Sequence, residues 1–431
     1  MNTSAAQVPE GPRDAGPLRH LRVLDLTQFL SGPYATQILG DLGAEVIKVE
    51  APEGDMTRRL PPNFVGEDSA YYLSVNRNKK SLAVDLKSDA GRALVCDLAR
   101  TCDVVVENFR PGVLDRLGLS YAQLSADQPG LVWCSISGFG QDGPYRDRPA
   151  YDMIVQAMSG GMSLTGEVDG HSVRSGIPLG DIAAGMYAVI GILAALADRD
   201  RSGKGRAVDV AMLDCQIAML SYQAAYFLAS GHVPGRQGRG HDSIPTYRAF
   251  TCADGADVVI TANTERMWRS LCGVLGHPEL VGDPRFAVNA ARYENRLALW
   301  SIIEAAFRTR AAEAWVEALV AAEIPATVVN TLDRSLTDPH VLHRRMVVET
   351  QGPDGERLRV AGNPVKYLGE AEPAHAFPPR LGSDEDDVLA RVLNLSVGAI
   401  AALRDSGVIG RRDTKTAPAG AQAGAARTGG A

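Results

Sequence analysis

Short apolar runs alternate with helical segments along residues 21–137, and this alternation restricts the fold more than any other feature of the sequence. Strands are expected at 21–26, 45–49, 82–86, 104–107 and 131–137, and helices at 35–42 and 90–100. Strand–helix alternation with short connections predicts an α/β fold with a doubly wound parallel sheet. Such sheets bind their ligands at the carboxyl ends of the strands.

The second half of the sequence has a different pattern. Long apolar helices are expected at 182–197 and at about 211–229, and a turn-rich segment, 231–245, leads to a smaller α+β region at about 246–325. Strand and turn signals return over 326–400, for example at 327–330 and 358–361, followed by a helix at about 386–406. Residues 1–17 and 411–431 lack the apolar content that offsets chain entropy, so both tails are expected to be disordered.

Composition and charge exclude several classes of function. The net charge of −7 argues against nucleic acid as a partner, because phosphate binding requires a basic face. The six cysteines are scattered without a C-x-x-C pair, and no set of side chains completes a metal site. The first 19 residues contain no apolar signal region, and the apolar stretch Ile182–Ala197 is short for a membrane span. We therefore expect a soluble, cytoplasmic protein that contacts neither membrane nor nucleic acid.

A glycine-rich segment, 138–143, follows an apolar strand and matches the spacing of dinucleotide-binding turns. That function requires a helix to open at the third glycine, so that its N-terminal amides hold a pyrophosphate. The next residues, 144–149, begin and end with proline and do not favour a helix start. The sequence therefore predicts a loop here.

Asp181 stands directly before the predicted 182–197 helix, and two interpretations of it remain open. Aspartate is a favoured N-cap residue, which would make its role structural. The position also suits a nucleophile, because the helix dipole favours an ionised carboxylate and Gly180 allows close approach of a substrate. A carboxylate can form acyl intermediates when it is held in a dry, preorganised site.

Two segments, 76–80 and 108–112, combine basic and amide side chains next to predicted strands. Each fits phosphates and an adenine face, and each is equally well explained as a solvated turn. Their presence on one α/β sheet favours a nucleotide-bearing ligand.

Further stretches, in order over residues 20–405, share a pattern with one enzyme family. They are Leu24–Thr27, Ser31–Pro33, Asp41–Glu50, Gly54–Arg58, Asn76–Leu82, Glu107–Gly112, Gly180–Asp181, Asp283–Phe286, Gly362–Pro364 and Pro378–Gly382. With these stretches the chain resembles the class III CoA-transferases of the CaiB/BaiF type, which include formyl-CoA and carnitine CoA-transferases.

The resemblance implies an interlocked homodimer and a large Rossmann-like domain whose parallel sheet is formed from both chain ends. The domains would then be 18–225 for the N-terminal part of the large domain, 226–325 for the small α+β domain, and 326–410 for the return to the large domain.

The resemblance also implies the chemistry. Asp181 would attack an acyl-CoA and carry first a mixed anhydride and then an aspartyl-CoA thioester, which an acceptor carboxylate resolves. CoA would be a substrate, with no tightly bound cofactor. The implied CoA contacts are Leu30, Ser31, Val84, Lys87, Asn108, Phe109, Arg110 and Arg116.

The sequence departs from the formyl-CoA members in two places. Leu30 stands where they carry glutamine, and residues 235–240 contain fewer glycines than their glycine run. Formate and oxalate are therefore expected to be poor substrates. We expect succinyl-CoA as the donor, with a second dicarboxylate or a branched or hydroxy acid as the acceptor.

Two other functions compete with CoA transfer. α-Methylacyl-CoA racemases of the same superfamily need a second base, a histidine just before an aspartate, where this chain has Tyr151 before Asp152. A non-catalytic CoA-binding protein is the other alternative.

Overall fold

The computed structural model describes residues 16–412, which divide into two compact units. Within the described range the first unit holds residues 16–155, 178–218 and 347–412, and the second holds 156–177 and 219–346. Most of the two tails expected to be disordered, 1–15 and 413–431, lies outside the described residues. At the edge of that range Arg412 is held in place, since its side chain donates to Asp85 at 2.8 Å and its backbone N–H donates to the Pro52 carbonyl.

The strands of both units are short. In chain order they are Arg22–Asp25 (β1), Glu45–Glu50 (β2), Phe64–Val65 (β3), Asp68–Ser69 (β4), Lys79–Ala83 (β5), Val104–Glu107 (β6), Val132–Ser137 (β7), Ala207–Ala211 (β8), Tyr247–Thr251 (β9), Asp257–Thr261 (β10), Ala326–Val328 (β11), Val347–Gln351 (β12) and Arg357–Ala361 (β13).

The α-helices of the described chain connect and cover these strands. They are Ser31–Asp41, Ala70–Ser74, Asp89–Ala99, Val113–Arg116, Tyr121–Asp127, Asp152–Met158, Gly161–Leu164, Leu179–Ser202, Met212–Met219, Tyr222–Ser230, Glu265–Leu275, Asn289–Glu294, Arg296–Phe307, Ala312–Ala321, Leu332–Thr337, Pro339–His343, Glu385–Leu393 and Val397–Asp405. Short 3₁₀ turns lie at Met56–Arg59 and Pro278–Val281.

A parallel sheet of six strands forms the centre of the first unit, in the order β5-β2-β1-β6-β7-β8. Counted along the chain, these are the third, second, first, fourth, fifth and sixth strands of the sheet, which is the Rossmann order. The order reverses between β1 and β6, so their carboxyl ends open a crevice where such folds bind ligands. The predicted doubly wound parallel sheet is confirmed.

Alternate side chains of the strands enter two separate cores, one on each face of the sheet. Val23 and Val46 pack on one face with the helices Ser31–Asp41 and Leu179–Ser202. Leu24 and Ile47 pack on the other face with apolar side chains of the helices at 89–99, 385–393 and 397–405. Burial on both faces explains why these strands are almost continuously apolar in sequence.

The Leu179–Ser202 helix is long and apolar enough to cross a membrane by length and composition. Half of its most apolar window is nevertheless buried within the structure. It packs across the Ser31–Asp41 helix and β7, as expected for a core helix.

Two details of the first unit differ from the sequence-based expectation. All six strands of the large sheet come from residues 22–211, so the expectation of a sheet formed from both chain ends was wrong. The C-terminal segment, 347–412, instead contributes a separate antiparallel pair, β12 and β13, two helices, and an isolated antiparallel bridge between Val84 and Ile409. The helix expected at 386–406 is interrupted because Asn394 adopts a left-handed conformation and Ser396 caps a new helix.

The second unit is an α+β structure. Its antiparallel sheet, in the order β11-β10-β9, packs against helices around large apolar side chains such as Phe250, Trp268 and Trp315. The pairing of β11 with β10 keeps residues 326–328 in this unit. The unit therefore extends to Met346, beyond the boundary at 325 drawn from the sequence.

Candidate active site

Asp181 lies in the first turn of the Leu179–Ser202 helix, whose N-cap residue is Pro178. The helix thus begins three residues earlier than the expected start at 182, and the interpretation of Asp181 as its N-cap was wrong. Since the first turn carries the positive end of the helix dipole, this position favours the ionised form of a carboxyl group.

A close crossing of two helices brings Asp181 to Ser31. Residues four apart lie on one face of a helix, so Gly185 is one turn below Asp181 on the same face. A Cβ atom added at Gly185 would stand 2.7 Å from the Ser31 carbonyl oxygen, so any larger residue would push the helices apart. Ser31 then donates hydrogen bonds to the Asp181 carboxylate from both its hydroxyl and its backbone N–H.

The environment of Asp181 makes its ionisation difficult. Burial raises the pKa of its carboxyl group from the ordinary 3.8 to about 7, and the nearby charge of Asp152 acts in the same direction. The hydrogen bonds from Ser31 oppose the shift without cancelling it. A carboxylate that is weakly solvated and still partly exposed is a better nucleophile than one in free solution.

Two neighbours of Asp181, Asp152 and Tyr71, were not selected as site residues from the sequence. Asp152 accepts a hydrogen bond from the backbone N–H of Gly180 at 2.7 Å, which fixes its carboxylate beside the first turn of the helix. Burial, together with Asp181 and two further carboxylates, raises the pKa of Tyr71 to about 12, so its phenol remains a proton donor. Tyr151 is 65% exposed and its ring meets that of Phe29 edge to face. Asp152 and Tyr71 are 29 or more residues from Asp181 in sequence, so no local pattern indicated that they lie near it.

A cavity of about 210 Å³ opens at the carboxyl ends of β1, β2, β5 and β6. Three of the predicted CoA-binding residues line it, namely Val84, Lys87 and Phe109. Thr27 and Gln28, from the turn after β1, form another part of its wall. This turn continues directly into Ser31, so one short segment joins the cavity to Asp181.

The structure gives Asn108 a role in holding that turn. Its amide oxygen accepts from the Gln28 backbone N–H and its amide nitrogen donates to the Gln28 carbonyl, both at 2.8 Å. Through these two hydrogen bonds Asn108 connects the turn after β1 to the end of β6 and fixes the position of that turn. Leu30 and Ser31, which follow in the turn, are both buried.

The arginines expected to bind CoA lie outside the cavity. Arg110 and Arg116 are exposed, and neither forms an ion pair within residues 16–412. One guanidinium nitrogen of Arg116 and one of Arg146 each lie 3.4 Å from the point where a Gly112 side chain would begin. Two cations that converge in this way can hold an anion. Arg146 was missed because its loop has no recognisable spacing.

The structure contradicts the hypothesis that residues 76–80 bind phosphate. Arg77 is buried and paired with both carboxylate oxygens of Asp41. Lys79 is buried and paired with Asp25, and Lys80 pairs with Asp387. These three cations lie just before β5 or at its start, and each forms an ion pair with an aspartate of the chain. They are therefore not available to bind phosphate.

The loop prediction for residues 138–143 is confirmed. The first helix after β7 begins only at Asp152, so no helix start is available to a pyrophosphate in this segment. Asp209 instead accepts the backbone N–H of Gln141 at 2.9 Å, which ties the loop to β8.

A Rossmann sheet with a cavity at its switch point and an aspartate of strongly raised pKa nearby is typical of an enzyme that binds a nucleotide-bearing ligand. The chain belongs to CoA-transferase family III, whose model matches residues 18–385. It is an enzyme that transfers CoA, which sets aside the alternative of a non-catalytic CoA-binding protein.

Individual relatives agree with this assignment. The chain is 42% identical to succinyl-CoA:glutarate CoA-transferase of Mus musculus, over 93% of this chain and 92% of the relative. It is 39% identical to acetyl-CoA:oxalate CoA-transferase of Acetobacter aceti, over 91% of this chain and 98% of the relative. A crystal structure of a CaiB/BaiF family protein from Brucella suis matches with a TM-score of 0.79 and 38% identity, covering 88% of this chain and 99% of that one.

Proposed function

We propose that the enzyme moves CoA from succinyl-CoA to a second small dicarboxylate through covalent intermediates on Asp181. The observation that carries the proposal is the placement of Asp181, which is partly buried in the first turn of a helix and hydrogen-bonded to Ser31. Ser31 in turn follows the segment, Thr27 and Gln28, that lines the Rossmann cavity. The named substrates of the mouse relative, succinyl-CoA and glutarate, support this choice of acids. The Acetobacter relative is named for oxalate, so the expectation that oxalate is a poor acceptor stays a prediction.

In the first half of the proposed reaction the Asp181 carboxylate attacks the donor thioester carbonyl. The C–S bond breaks, CoA thiolate leaves, and a mixed anhydride joins Asp181 to the donor acid. The thiolate then attacks the aspartyl carbonyl and releases the donor carboxylate, which leaves an aspartyl-CoA thioester.

In the second half the acceptor carboxylate attacks the aspartyl-CoA carbonyl and displaces the thiolate. The thiolate attacks the acceptor carbonyl of the new anhydride, which gives acceptor-CoA and regenerates the Asp181 carboxylate. Every step exchanges one activated acyl bond for another, so no net proton is taken up or released. We assign the cavity around Val84, Lys87 and Phe109 to CoA binding. The phosphate groups of CoA would be bound by Arg110, Arg116 and Arg146.

Racemase chemistry is the weaker candidate. Its second base would occupy the position of Tyr151, and a tyrosine is a weaker general base than the histidine that this chemistry needs. The assignment to the CoA-transferase family also favours transfer. A homodimer and a cytoplasmic location remain part of the proposal.

Covalent capture tests the proposed intermediate directly. When the enzyme is incubated with succinyl-CoA and then treated with hydroxylamine, we expect modification of Asp181 and of no other carboxylate. Peptide mass spectrometry identifies the site, and enzyme treated with hydroxylamine without succinyl-CoA is the control. Modification at another residue, or none during active turnover, would rule out Asp181 as the nucleophile.

The pKa of Asp181 predicts an acid limb in the pH profile. Because only the ionised carboxylate attacks, kcat/KM should fall about tenfold per pH unit below pH 7. Asp152→Asn keeps an acceptor for the Gly180 N–H but removes the charge that raises the pKa, so its limb should move to lower pH. Asp200→Asn changes an exposed carboxylate at the other end of the Leu179–Ser202 helix and serves as the control. An acid limb that stays in place in Asp152→Asn would contradict the coupling.

A further inference from the structure

Four charged side chains are buried beneath the segment 27–33, which contains Ser31, the residue that donates hydrogen bonds to Asp181. Asp25, Lys48, Asp55 and Lys79 form two ion pairs, Lys79–Asp25 at 3.0 Å and Lys48–Asp55 at 3.4 Å, and all four side chains are fully buried. The proposed reaction uses none of them. Buried ion pairs seldom stabilise a fold more than apolar residues of similar size would, so their presence calls for another reason.

Both lysines donate hydrogen bonds to backbone carbonyl groups of the 27–33 segment. The Lys79 ammonium donates to the Pro33 carbonyl at 2.9 Å, and the Lys48 ammonium donates to the Thr27 carbonyl at 2.7 Å. Burial lowers the pKa of Lys79 to about 8 although Asp25 opposes the shift, so the group is still charged at neutral pH. The two lysines therefore hold both ends of the 27–33 segment.

The carboxylates of Asp25 and Asp55 accept hydrogen bonds from residues within the same segment, 27–33. Asp25 accepts from the backbone N–H and the hydroxyl of Thr27, at 2.9 and 2.5 Å. Asp55 accepts from the backbone N–H of Phe29 at 3.3 Å. Phe29 has a φ of 63°, which is strained for a residue with a side chain and persists only when its surroundings enforce it.

The segment held in this way delivers the hydrogen bonds to Asp181. A Cβ atom at Gly32 would stand 2.3 Å from the Thr27 side chain, so the position of Thr27 determines the start of the Ser31–Asp41 helix. Ser31 is the first residue of that helix and donates to Asp181. Any shift of Thr27 or Pro33 would therefore be passed to Ser31.

We propose that the network of Asp25, Lys48, Asp55 and Lys79 positions Ser31 against the nucleophile. The inference rests on the proposed role of Asp181, and it assigns the four residues a function in orientation, without contact with the substrate. The positive charge of each lysine is balanced by a buried carboxylate, so the network can hold backbone oxygens without adding net charge beside Asp181.

Substitution of the lysines tests the proposal. Lys48→Met and the double variant Asp25→Asn/Lys79→Met, which leaves no unpaired charge at residue 25, should lower kcat by about 10–100-fold with little change in KM for succinyl-CoA. The acid limb of the pH profile should move to higher pH, because the Ser31 hydrogen bonds that lower the pKa of Asp181 would be weakened. Lys80→Met, at the next residue of β5, removes only a partly exposed pair with Asp387 and should behave as wild type.

The outcomes separate this proposal from the proposed function. If hydroxylamine does not capture Asp181 in the wild type, the nucleophile assignment fails. If Asp181 is captured and the folded lysine variants keep the wild-type kcat and acid limb, only the positioning role is overturned. It is equally overturned if every variant unfolds, since the network would then serve folding alone. Circular dichroism and thermal melting show which variants are folded.

Discussion

Asp181→Asn should abolish CoA transfer and, at the same time, make the protein more stable at pH 8. The amide cannot form the anhydride, so kcat is expected to fall by at least about a thousandfold. The stability gain follows from the raised pKa of the native carboxyl group. In the folded chain this pKa is about 7 and in the unfolded chain it is near the ordinary 3.8.

The sign of the stability effect follows from proton binding. Between pH 3.8 and 7 the folded state binds more protons at Asp181 than the unfolded state, so rising pH destabilises the fold until the group is ionised in both states. The full difference would be worth about 4 kcal/mol, and for a partly exposed carboxylate we expect about 1–3 kcal/mol at pH 8. Most of the gain should be lost near pH 4, where the carboxyl group is protonated in the folded state and roughly half protonated in the unfolded state.

Urea unfolding of Asp181→Asn and wild type at pH 4 and pH 8 checks this effect, and steady-state assays with succinyl-CoA check the loss of turnover. Asp200→Asn, which alters an exposed carboxylate at the other end of the same helix, should change neither quantity. Intact mass must exclude deamidation back to aspartate. Full turnover by an undeamidated variant, or a lower free energy of unfolding at pH 8, would contradict the assigned environment of Asp181.

The strands that could be predicted from the sequence are those buried on both faces of the sheet. β2, β6 and β7 have unbroken buried patterns and were expected within a residue or two of their observed bounds. β8 was missed because it is an edge strand of small and polar residues, Ala-Val-Asp-Val-Ala, with only partial burial. Likewise, the helix expected at about 211–229 is broken at Ser221, whose φ of 48° leaves no mark in the apolar pattern.

The site was only partly predictable for a different reason. Asp181 has a local signal, since it follows a glycine at a helix start. The contacts that determine its chemistry do not, because Ser31 and Asp152 are distant in sequence and meet Asp181 only through helix crossing and a backbone hydrogen bond. The segment containing Arg77 and Lys79 was misinterpreted for the same reason. Its cations looked available for phosphate because their buried partners, Asp41 and Asp25, lie far away along the chain.

Arg58 connects the N-terminal half of the first unit to its C-terminal segment through a buried network. Its guanidinium donates twice to the Glu50 carboxylate at 2.7 Å, once to the Asp68 carboxylate at 3.0 Å, once to the Tyr72 hydroxyl, and once to the Pro379 carbonyl at 3.1 Å. Both charged side chains are nearly inaccessible to solvent. Removal of one partner therefore leaves the other charged and poorly solvated.

We expect Arg58→Met to lower the free energy of unfolding by about 3–5 kcal/mol, since the methionine fills part of the space but strands the Glu50 carboxylate. Arg59→Met is the matched control, because Arg59 is the next residue, is exposed, and donates a hydrogen bond to the Glu53 carbonyl. This substitution should change the free energy of unfolding by less than about 0.5 kcal/mol. If the unpaired Glu50 charge causes the loss, Glu50→Gln/Arg58→Met should be more stable than Arg58→Met alone. Urea unfolding of the wild type, Glu50→Gln, Arg58→Met and the double variant measures this non-additivity. A double variant less stable than Arg58→Met would instead show that Glu50 stabilises the fold through its bonds to Ser81 and the Asp55 backbone, independently of Arg58.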